Sequence, residues 1–277
     1  MAPKNELVQY QLQDNVATIR IDDGKRNALS PELLREIYQA LDQAESDRAI
    51  VILTGRESVF SAGFDLNVMK RGGINALRML RAGYALTARV LAYPYPVIVA
   101  CNGHSLAMGV FLMLSADYVI GSQGDFKIAA NELAICMTMP RVAAAVLRNR
   151  LTPSAYQRAV TVAAYFDVES ARDAGFFDEL IGPEDLIARA EACADAFKKL
   201  DPQAHKVSKR RIRAARIRKI RVSIPLDRLD AALIGLRRAR SGSRQRGPSG
   251  ERGTPHPVET RQVPIVRIQM RCNAQVG

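Results

Sequence analysis

The sequence predicts an α/β fold in which most strands pair in parallel. Two short apolar runs, residues 49–54 and 96–101, have the length and continuity of strands that are buried on both faces. Segments with helical periodicity lie around these runs, and strands that alternate with helices are typical of α/β domains. The chain has 277 residues, 48% of them apolar, which is enough to bury one large core.

The first predicted elements are a β-hairpin and a helix. Residues 6–12 and 16–21 alternate in polarity around a short polar turn, as the two strands of a hairpin do. Ser30-Pro31-Glu32 combines a hydroxyl cap, a proline in the first turn and an acid at the positive end of a helix. The apolar residues that continue this helix at the expected spacing are Leu33, Leu34, Ile37, Leu41 and Ala44.

The rest of the chain predicts one more strand and several helices. A helix is expected to begin at about Leu106, and residues 118–120 read as a strand. Residues 186–200 and 204–222 have helical patterns, and Pro225 is expected to end the second because proline breaks helical hydrogen bonding.

The net charge of +12 is concentrated at the C-terminal end. Residues 205–277 carry 19 basic and 4 acidic side chains, whereas residues 1–204 carry 21 basic and 24 acidic ones. The main body is therefore not basic, and nucleic acid is not the expected partner.

The basic segment 206–221 predicts an amphipathic helix that docks on a neighbouring subunit. Its apolar positions are Val207, Ile212, Ile217 and Ile220. Beyond it, residues 237–277 are rich in arginine, serine, glycine and proline, which predicts a disordered tail.

Four scattered cysteines share no CxxC spacing, which argues against a zinc site and suits a reducing, cytoplasmic location. No N-terminal segment has the apolar core of a signal peptide. The longest apolar run, residues 106–114, is too short to span a bilayer, so no membrane association is expected. No metal is predicted.

Glu132 is the candidate acid/base. It lies between Ile128-Ala-Ala-Asn131 and Leu133-Ala-Ile-Cys-Met137, so its carboxylate is expected in apolar surroundings. Desolvation raises a carboxyl pKa towards the range that suits a general base.

Two further segments are expected to present backbone N–H groups. Residues 102–109 contain Gly103 and Gly109 and run from a strand into a helix, where the first amides lack partners. Residues 60–66 form a turn of small residues after the strand at 49–54. Two such turns aimed at one carbonyl oxygen would stabilise negative charge on it.

A serine hydrolase is the alternative chemistry. Gly103-His104-Ser105-Leu106-Ala107 resembles a nucleophile elbow and also lies between a strand and a helix. Ser105 would need a later histidine as its base, and neither His205 nor His256 has a suitable setting. This alternative is therefore less favoured.

The combination of segments resembles the enoyl-CoA hydratase/isomerase (crotonase) family over about residues 5–235. The matching segments are Lys25-Arg-Asn-Ala-Leu29, Phe60-Ser-Ala-Gly-Phe-Asp-Leu66, Pro96-Val-Ile-Val-Ala-Cys-Asn-Gly103 and Glu132-Leu-Ala-Ile135. The resemblance implies a spiral of ββα units in residues 1–200. It also implies a helical region, residues 201–236, that packs subunits into trimers or dimers of trimers, ahead of the tail at 237–277.

The resemblance implies an acyl-CoA substrate and no other cofactor. The thioester oxygen would accept hydrogen bonds from the backbone N–H groups of Phe64 and Met108, and Glu132 would move the proton. The residues expected to contact CoA or the acyl group are Lys25, Arg26, Ala28, Ala62, Asp65, Leu66, Phe111 and Lys209.

One departure from the family pattern concerns the reaction. Hydratases of this family use two glutamates to hold a water molecule, and Phe111 occupies the position of the first. A single glutamate suffices to move a double bond, so enoyl-CoA isomerisation is favoured over hydration, which remains the alternative. A non-catalytic assembly module is the third possibility.

Overall fold

The computed structural model describes residues 6–244, with side chains described up to residue 234. A six-stranded sheet forms its centre, with the strand order β1-β2-β4-β7-β9-β11. Only the β1–β2 hairpin is antiparallel, and every other pair in this sheet is parallel. The strands are β1 (Val8–Gln13), β2 (Val16–Ile21), β4 (Ile50–Thr54), β7 (Val97–Cys101), β9 (Tyr118–Ser122) and β11 (Glu179–Ile181).

Two small sheets join the segments that matter for the site. A three-stranded sheet has the order β10-β8-β5, and a two-stranded sheet pairs β3 with β6. All of these pairs are parallel. The strands are β3 (Ala28–Leu29), β5 (Ser58–Ser61), β6 (Gly63–Phe64), β8 (Gly103–Leu106) and β10 (Ile128–Ala129).

Nine α-helices surround the sheets in the described part of the chain, and a 3-10 turn spans Leu133–Ile135. The helices are α1 (Pro31–Ser46), α2 (Leu66–Arg71), α3 (Gly73–Ala92), α4 (Met108–Met113), α5 (Arg141–Leu147), α6 (Pro153–Val162), α7 (Val168–Ala174), α8 (Leu186–Phe197) and α9 (Pro202–Arg244).

The N-terminal predictions are confirmed. The hairpin forms where expected, and the hydroxyl of Ser30 accepts a hydrogen bond from the N–H of Leu33 to cap α1. Strands β4 and β7 are buried at every position, as continuous apolar runs in a parallel sheet require. All five apolar residues predicted for the buried face of α1 lie in the core.

Two predicted boundaries are wrong. The helix expected from about Leu106 begins at Met108, because residues 103–106 pair with neighbouring strands as β8 instead. Helix α9 does not end at Pro225 but continues to Arg244, past the boundary expected at residue 236. A proline removes one hydrogen bond, and the packing of α9 on the rest of the chain offsets that loss. The remainder of the predicted tail, residues 245–277, lies outside the described residues.

Helix α9 packs on its own chain, chiefly on α3 and α5. Ile220 is fully buried in the main core, and Ile217 packs against it. Asp227 accepts hydrogen bonds from the backbone N–H groups of Arg141 and Val142 and so caps α5. Helix α9 therefore belongs to the core of its own chain, and the subunit packing expected of residues 201–236 stays a prediction.

No helix within residues 6–244 combines the length and the apolar character needed to cross a bilayer.

Candidate active site

Strand pairing brings the three predicted catalytic segments together. Strand β8 pairs with β10, with Leu106 opposite Ala129, and the N–H of Ala107 donates to the carbonyl of Ala129 at 2.8 Å. Glu132 is three residues beyond Ala129, so this pairing brings the segment that carries it to the start of α4. Strand β5 lies on the other side of β8 and leads directly to β6.

The two turns expected to carry N–H donors touch each other. A Cβ on Gly109 would lie 2.9 Å from the Cβ of Ser61, so the start of α4 rests on the end of β5. Gly63 has a φ of +85°, a backbone conformation that favours glycine. A Cβ at this position would point at Ala107 and Met108. Ala107 itself has a φ of +47°, an uncommon value for a residue with a Cβ, and such strain clusters at functional sites.

The N–H groups of Phe64 and Met108 are free to bind an acceptor. Met108 is the first residue of α4, where the amides have no acceptor within the helix. On β6, the N–H of Asp65 donates to the carbonyl of Leu29. Amides alternate in direction along a strand, so the N–H of Phe64 points away from β3. Both N–H groups therefore lie at adjoining turns without an acceptor in the described part of the chain.

Glu132 is only 4% exposed, and burial raises the pKa of its carboxyl group from 4.5 to about 7. Its Oε2 atom has no hydrogen-bond partner. The 3-10 turn fixes its backbone, because the carbonyl of Glu132 accepts from the amides of Ile135 and Met137. A carboxyl group with this pKa and a free oxygen can both accept and return a proton near neutral pH.

Phe111 is fully buried within the core, so the position expected to hold a second carboxylate in hydratases is packed with hydrocarbon. Asp227 is the other buried carboxylate in the described part of the chain, and both of its oxygens accept hydrogen bonds at the start of α5. Glu132 is therefore the one buried carboxylate there with an unpartnered oxygen.

The segments predicted to contact CoA also converge. The N–H of Ala62 donates to the carbonyl of Arg26 at 3.0 Å, and Ala28 pairs with Gly63 across β3 and β6. Asp65 caps α2 by accepting from the amides of Asn67 and Val68.

A cleft of about 760 Å³ opens next to this junction, between the starts of α1 and α3. Asp65 and Val68 line it, together with Arg71, a cation near the mouth that sequence reasoning did not single out. Leu66 is 45% exposed, and Lys25 is exposed, so both remain accessible to a ligand.

Lys209 is the exception among the predicted contacts. Its ammonium group is buried and pairs with Asp117 at 2.5 Å, and it also donates to the carbonyl of Tyr95. Arg213 binds the other oxygen of Asp117 at 2.9 Å. Lys209 thus anchors α9 to the core, and the expectation that it meets a phosphate of CoA is wrong because its charge is already neutralised.

Ser105 does not have the setting of a nucleophile. It is fully buried, and its Oγ atom has no hydrogen-bond partner, so no histidine activates it. The neighbouring His104 accepts from the backbone N–H of Lys127 through Nδ1. The hydrolase alternative is therefore wrong.

Sequence reasoning missed Tyr84 and Asp227. Tyr84 lies on α3 with its ring edge-on to that of Phe64, at a centroid distance of 5.6 Å. The negative charges of Glu132 and Asp227 act on its phenol. Neither residue belongs to a recognisable pattern, since each reaches the site through helix packing between distant parts of the chain.

Comparisons with known proteins identify the family of this chain. The family model described as enoyl-CoA hydratase/isomerase matches residues 11–224. The chain belongs to this family, and the mixed α/β architecture is the crotonase-like fold that was predicted.

Several relatives are similar over most of their length. A probable enoyl-CoA hydratase of Mycobacterium avium is 32% identical over 221 residues, covering 74% of this chain and 82% of that protein. A solved enoyl-CoA hydratase/isomerase family protein from Pseudomonas syringae is 44% identical, with a TM-score of 0.79, covering 80% of this chain and 97% of the other.

A solved Mycobacterium tuberculosis protein is 41% identical with a TM-score of 0.77, and it is described as an enoyl-CoA isomerase in one structure and as a probable enoyl-CoA hydratase in another. The match covers 81% of this chain and 98% of that one.

Proposed function

We propose that the protein moves a double bond within an enoyl-CoA, with Glu132 as its only acid/base. The observation that carries this proposal is the buried carboxyl group of Glu132, with its raised pKa and free oxygen, beside two turns that present backbone N–H groups. The Mycobacterium tuberculosis relative is described both as an isomerase and as a probable hydratase, so the choice between the two reactions rests on the site itself.

The reaction needs one base and one anion site. With a 3-enoyl-CoA, the Glu132 carboxylate removes a proton from C2, and the electron pair moves onto the thioester oxygen. The N–H groups of Phe64 and Met108 stabilise that enolate oxygen, each contributing roughly 3 kcal/mol as in other oxyanion sites. The protonated Glu132 then returns the proton to C4, and the double bond comes to rest between C2 and C3.

Hydration of a 2-enoyl-CoA is the second candidate, because relatives are also described as hydratases. A hydratase must hold and activate a water molecule at C3. The hydrocarbon of Phe111 offers no acceptor for such a water, and Asp227 is committed to α5. These two observations favour isomerisation.

We also propose that the second half of α9 contributes to a homotrimer or dimer of trimers. Four apolar side chains lie on one face of the helix at spacings of three and four residues and are at least 44% exposed. They are Val222, Leu226, Leu229 and Leu233, and we call them the α9 apolar stripe. The cytoplasmic location and the absence of a cofactor stay predictions.

A product assay tests the reaction. The protein is incubated separately with a 3-enoyl-CoA and a 2-enoyl-CoA, and mass spectrometry with chromatography follows double-bond migration and water addition. We expect migration with little hydration, and Glu132→Gln should abolish it while leaving binding of an acyl-CoA intact. Hydration as the main reaction would overturn the proposal. Binding without any turnover would indicate a non-catalytic module.

A further inference from the structure

The segment that leads to Glu132 is held on the edge opposite β8 as well. Residues 163–167 connect α6 to α7, and within them Phe166 exchanges two backbone hydrogen bonds with Ile128, at 2.9 and 3.0 Å, in an isolated antiparallel bridge. Phe166 is only 2% exposed, and its ring packs against that of Phe176 with the centroids 5.0 Å apart. The connection between α6 and α7 is therefore fixed on the core and can hold the neighbouring strand in place.

Asn131 extends this contact beyond the end of β10. Its Nδ2 group donates to the hydroxyl oxygen of Tyr165, the residue before Phe166, at 3.3 Å. Asn131 is 9% exposed, and its Oδ1 atom has no hydrogen-bond partner in the described part of the chain. Among the described residues, the bond to Tyr165 is therefore the one side-chain hydrogen bond that orients the Asn131 amide.

The backbone of Asn131 begins the turn on which Glu132 lies. The carbonyl of Asn131 accepts from the N–H of Ala134 at 3.0 Å, and the carbonyl of Glu132 accepts from the N–H of Ile135 at 3.1 Å. That Asn131 carbonyl belongs to the same peptide group as the N–H of Glu132, so a shift of Asn131 moves Glu132 with it. A misplacement of about 1 Å can slow a reaction about 100-fold.

We propose that Tyr165 is a positioning residue for Glu132 and acts through Asn131. Its hydroxyl oxygen accepts from the Asn131 amide and holds the start of the turn against the connection between α6 and α7. Tyr165 is 40% exposed, so its oxygen can be removed without leaving a cavity in the core. This inference rests on the proposed function, in which Glu132 is the base.

The test is Tyr165→Phe, which keeps the ring and removes only the oxygen. Loss of one neutral hydrogen bond should lower kcat for a 3-enoyl-CoA roughly 3- to 10-fold. KM should stay within about twofold, because the lost contact orients the base and not the CoA group. Tyr156→Phe is the matched control, since Tyr156 lies on α6 and its hydroxyl makes no hydrogen bond within the described residues. Its kcat should equal that of the unaltered protein.

A double-mutant cycle distinguishes positioning through Asn131 from a general loss of structure. Asn131→Ala alone should lower kcat at least as much as Tyr165→Phe. Adding Tyr165→Phe to Asn131→Ala should then change kcat by less than about 1.5-fold, because the bond is already lost. Two losses that multiply in the double variant would mean that Tyr165 acts without Asn131 and would overturn the inference. An unchanged kcat in Tyr165→Phe would overturn it as well.

A measurement without substrate separates this inference from the proposed function. Amide hydrogen exchange at Ala134 reports the turn, because the N–H of Ala134 donates to the carbonyl of Asn131. We expect faster exchange in Tyr165→Phe than in the unaltered protein, and no change in Tyr156→Phe. If neither enoyl-CoA reacts but exchange is faster, the proposed reaction fails and the link between Tyr165 and the turn stands. If the reaction occurs and exchange does not change, the inference fails alone.

Discussion

A Cβ on Gly63 would lie 3.2 Å from the backbone nitrogen of Met108 and 2.9 Å from the carbonyl oxygen of Leu106. The turn that carries Phe64 and the turn that carries Met108 therefore meet through backbone atoms and the Cβ of Ala107. This contact sets the separation of the two N–H groups, because each is adjacent to the meeting point.

Gly63→Ala should consequently disable the enzyme. The new methyl group would push the two turns apart and would also be strained at a φ of +85°. We expect kcat to fall about 100-fold or more, as when one oxyanion donor is lost. Gly24→Ala is the control, since Gly24 has a φ of +74° and open space around it. Equal activity losses in the two variants would contradict the role of the contact.

The reaction rate should depend on pH through Glu132. Its carboxyl group must be ionised to accept the first proton, and burial raises its pKa to about 7. We expect kcat/KM for 3-enoyl-CoA to rise as pH increases through about 7 and then to level off. Initial rates from about pH 5 to 9 measure this profile, and a flat profile would exclude Glu132 as the titrating base.

Glu132→Gln should make the protein more stable above neutral pH. Because the folded pKa of about 7 exceeds the ordinary value of 4.5, the folded state binds the proton more tightly. The protonated carboxyl group thus contributes to the stability of the folded state, and this contribution is fully present below about pH 4.5 and is lost as pH rises through about 7. At pH 8 we expect the glutamine variant to have a free energy of unfolding about 3 kcal/mol higher than the unaltered protein.

Urea unfolding at low and high pH tests this expectation. The difference between the two proteins should be small near pH 4.5 and large at about pH 8. A difference that does not change with pH would mean that the carboxyl group titrates normally.

Asp117→Asn should destabilise the protein strongly. Asp117 is the partner of both Lys209, which is buried, and Arg213, which is partly buried, so its neutralisation leaves two cations without a counter-charge. Breaking a buried ion pair from one side costs about 3–5 kcal/mol. Asp195→Asn removes an exposed partner of Lys198 and should cost less than about 1 kcal/mol. If chemical unfolding showed that Asp117→Asn and Asp195→Asn lower the free energy of unfolding by similar amounts, Asp117 would not be an anchor for α9.

Leu229→Glu tests the α9 apolar stripe. A charge in the middle of a buried subunit interface should shift the protein towards monomers in light scattering. Val162→Glu is the control, because Val162 is an exposed apolar residue at the end of α6, 69% exposed against 56% for Leu229, and is far along the chain from the stripe. An unchanged molar mass for Leu229→Glu would remove the stripe from the interface.

Local signals made the first half of the fold predictable from sequence. The hairpin follows from alternation, and α1 from its cap and its apolar spacing, because both depend on residues close together in the chain. The position of Glu132 in apolar surroundings was predictable for the same reason, since its immediate neighbours are apolar.

Features that depend on distant residues were not predictable. The buried face of α9 carries Lys209, Arg213 and Asp227, and their charges are acceptable only because of partners near residues 117 and 141. Hydrophobic periodicity cannot detect such a face, and it did not show that Ile217 and Ile220 pack on the core of their own chain. Helix α9 continues through Pro225 for the same reason, since its packing on distant parts of the chain offsets the lost hydrogen bond.

The cap that Asp227 provides has a consequence for shortened chains. Only the stretch 133–140 separates Glu132, the proposed base, from α5, and the first two amides of α5 donate to Asp227 rather than to any residue of their own loop. A premature stop before position 227 would spare every strand of the central sheet yet untether that stretch. We expect such a protein to fold its central sheet but to lose the defined position of the Glu132 carboxyl group.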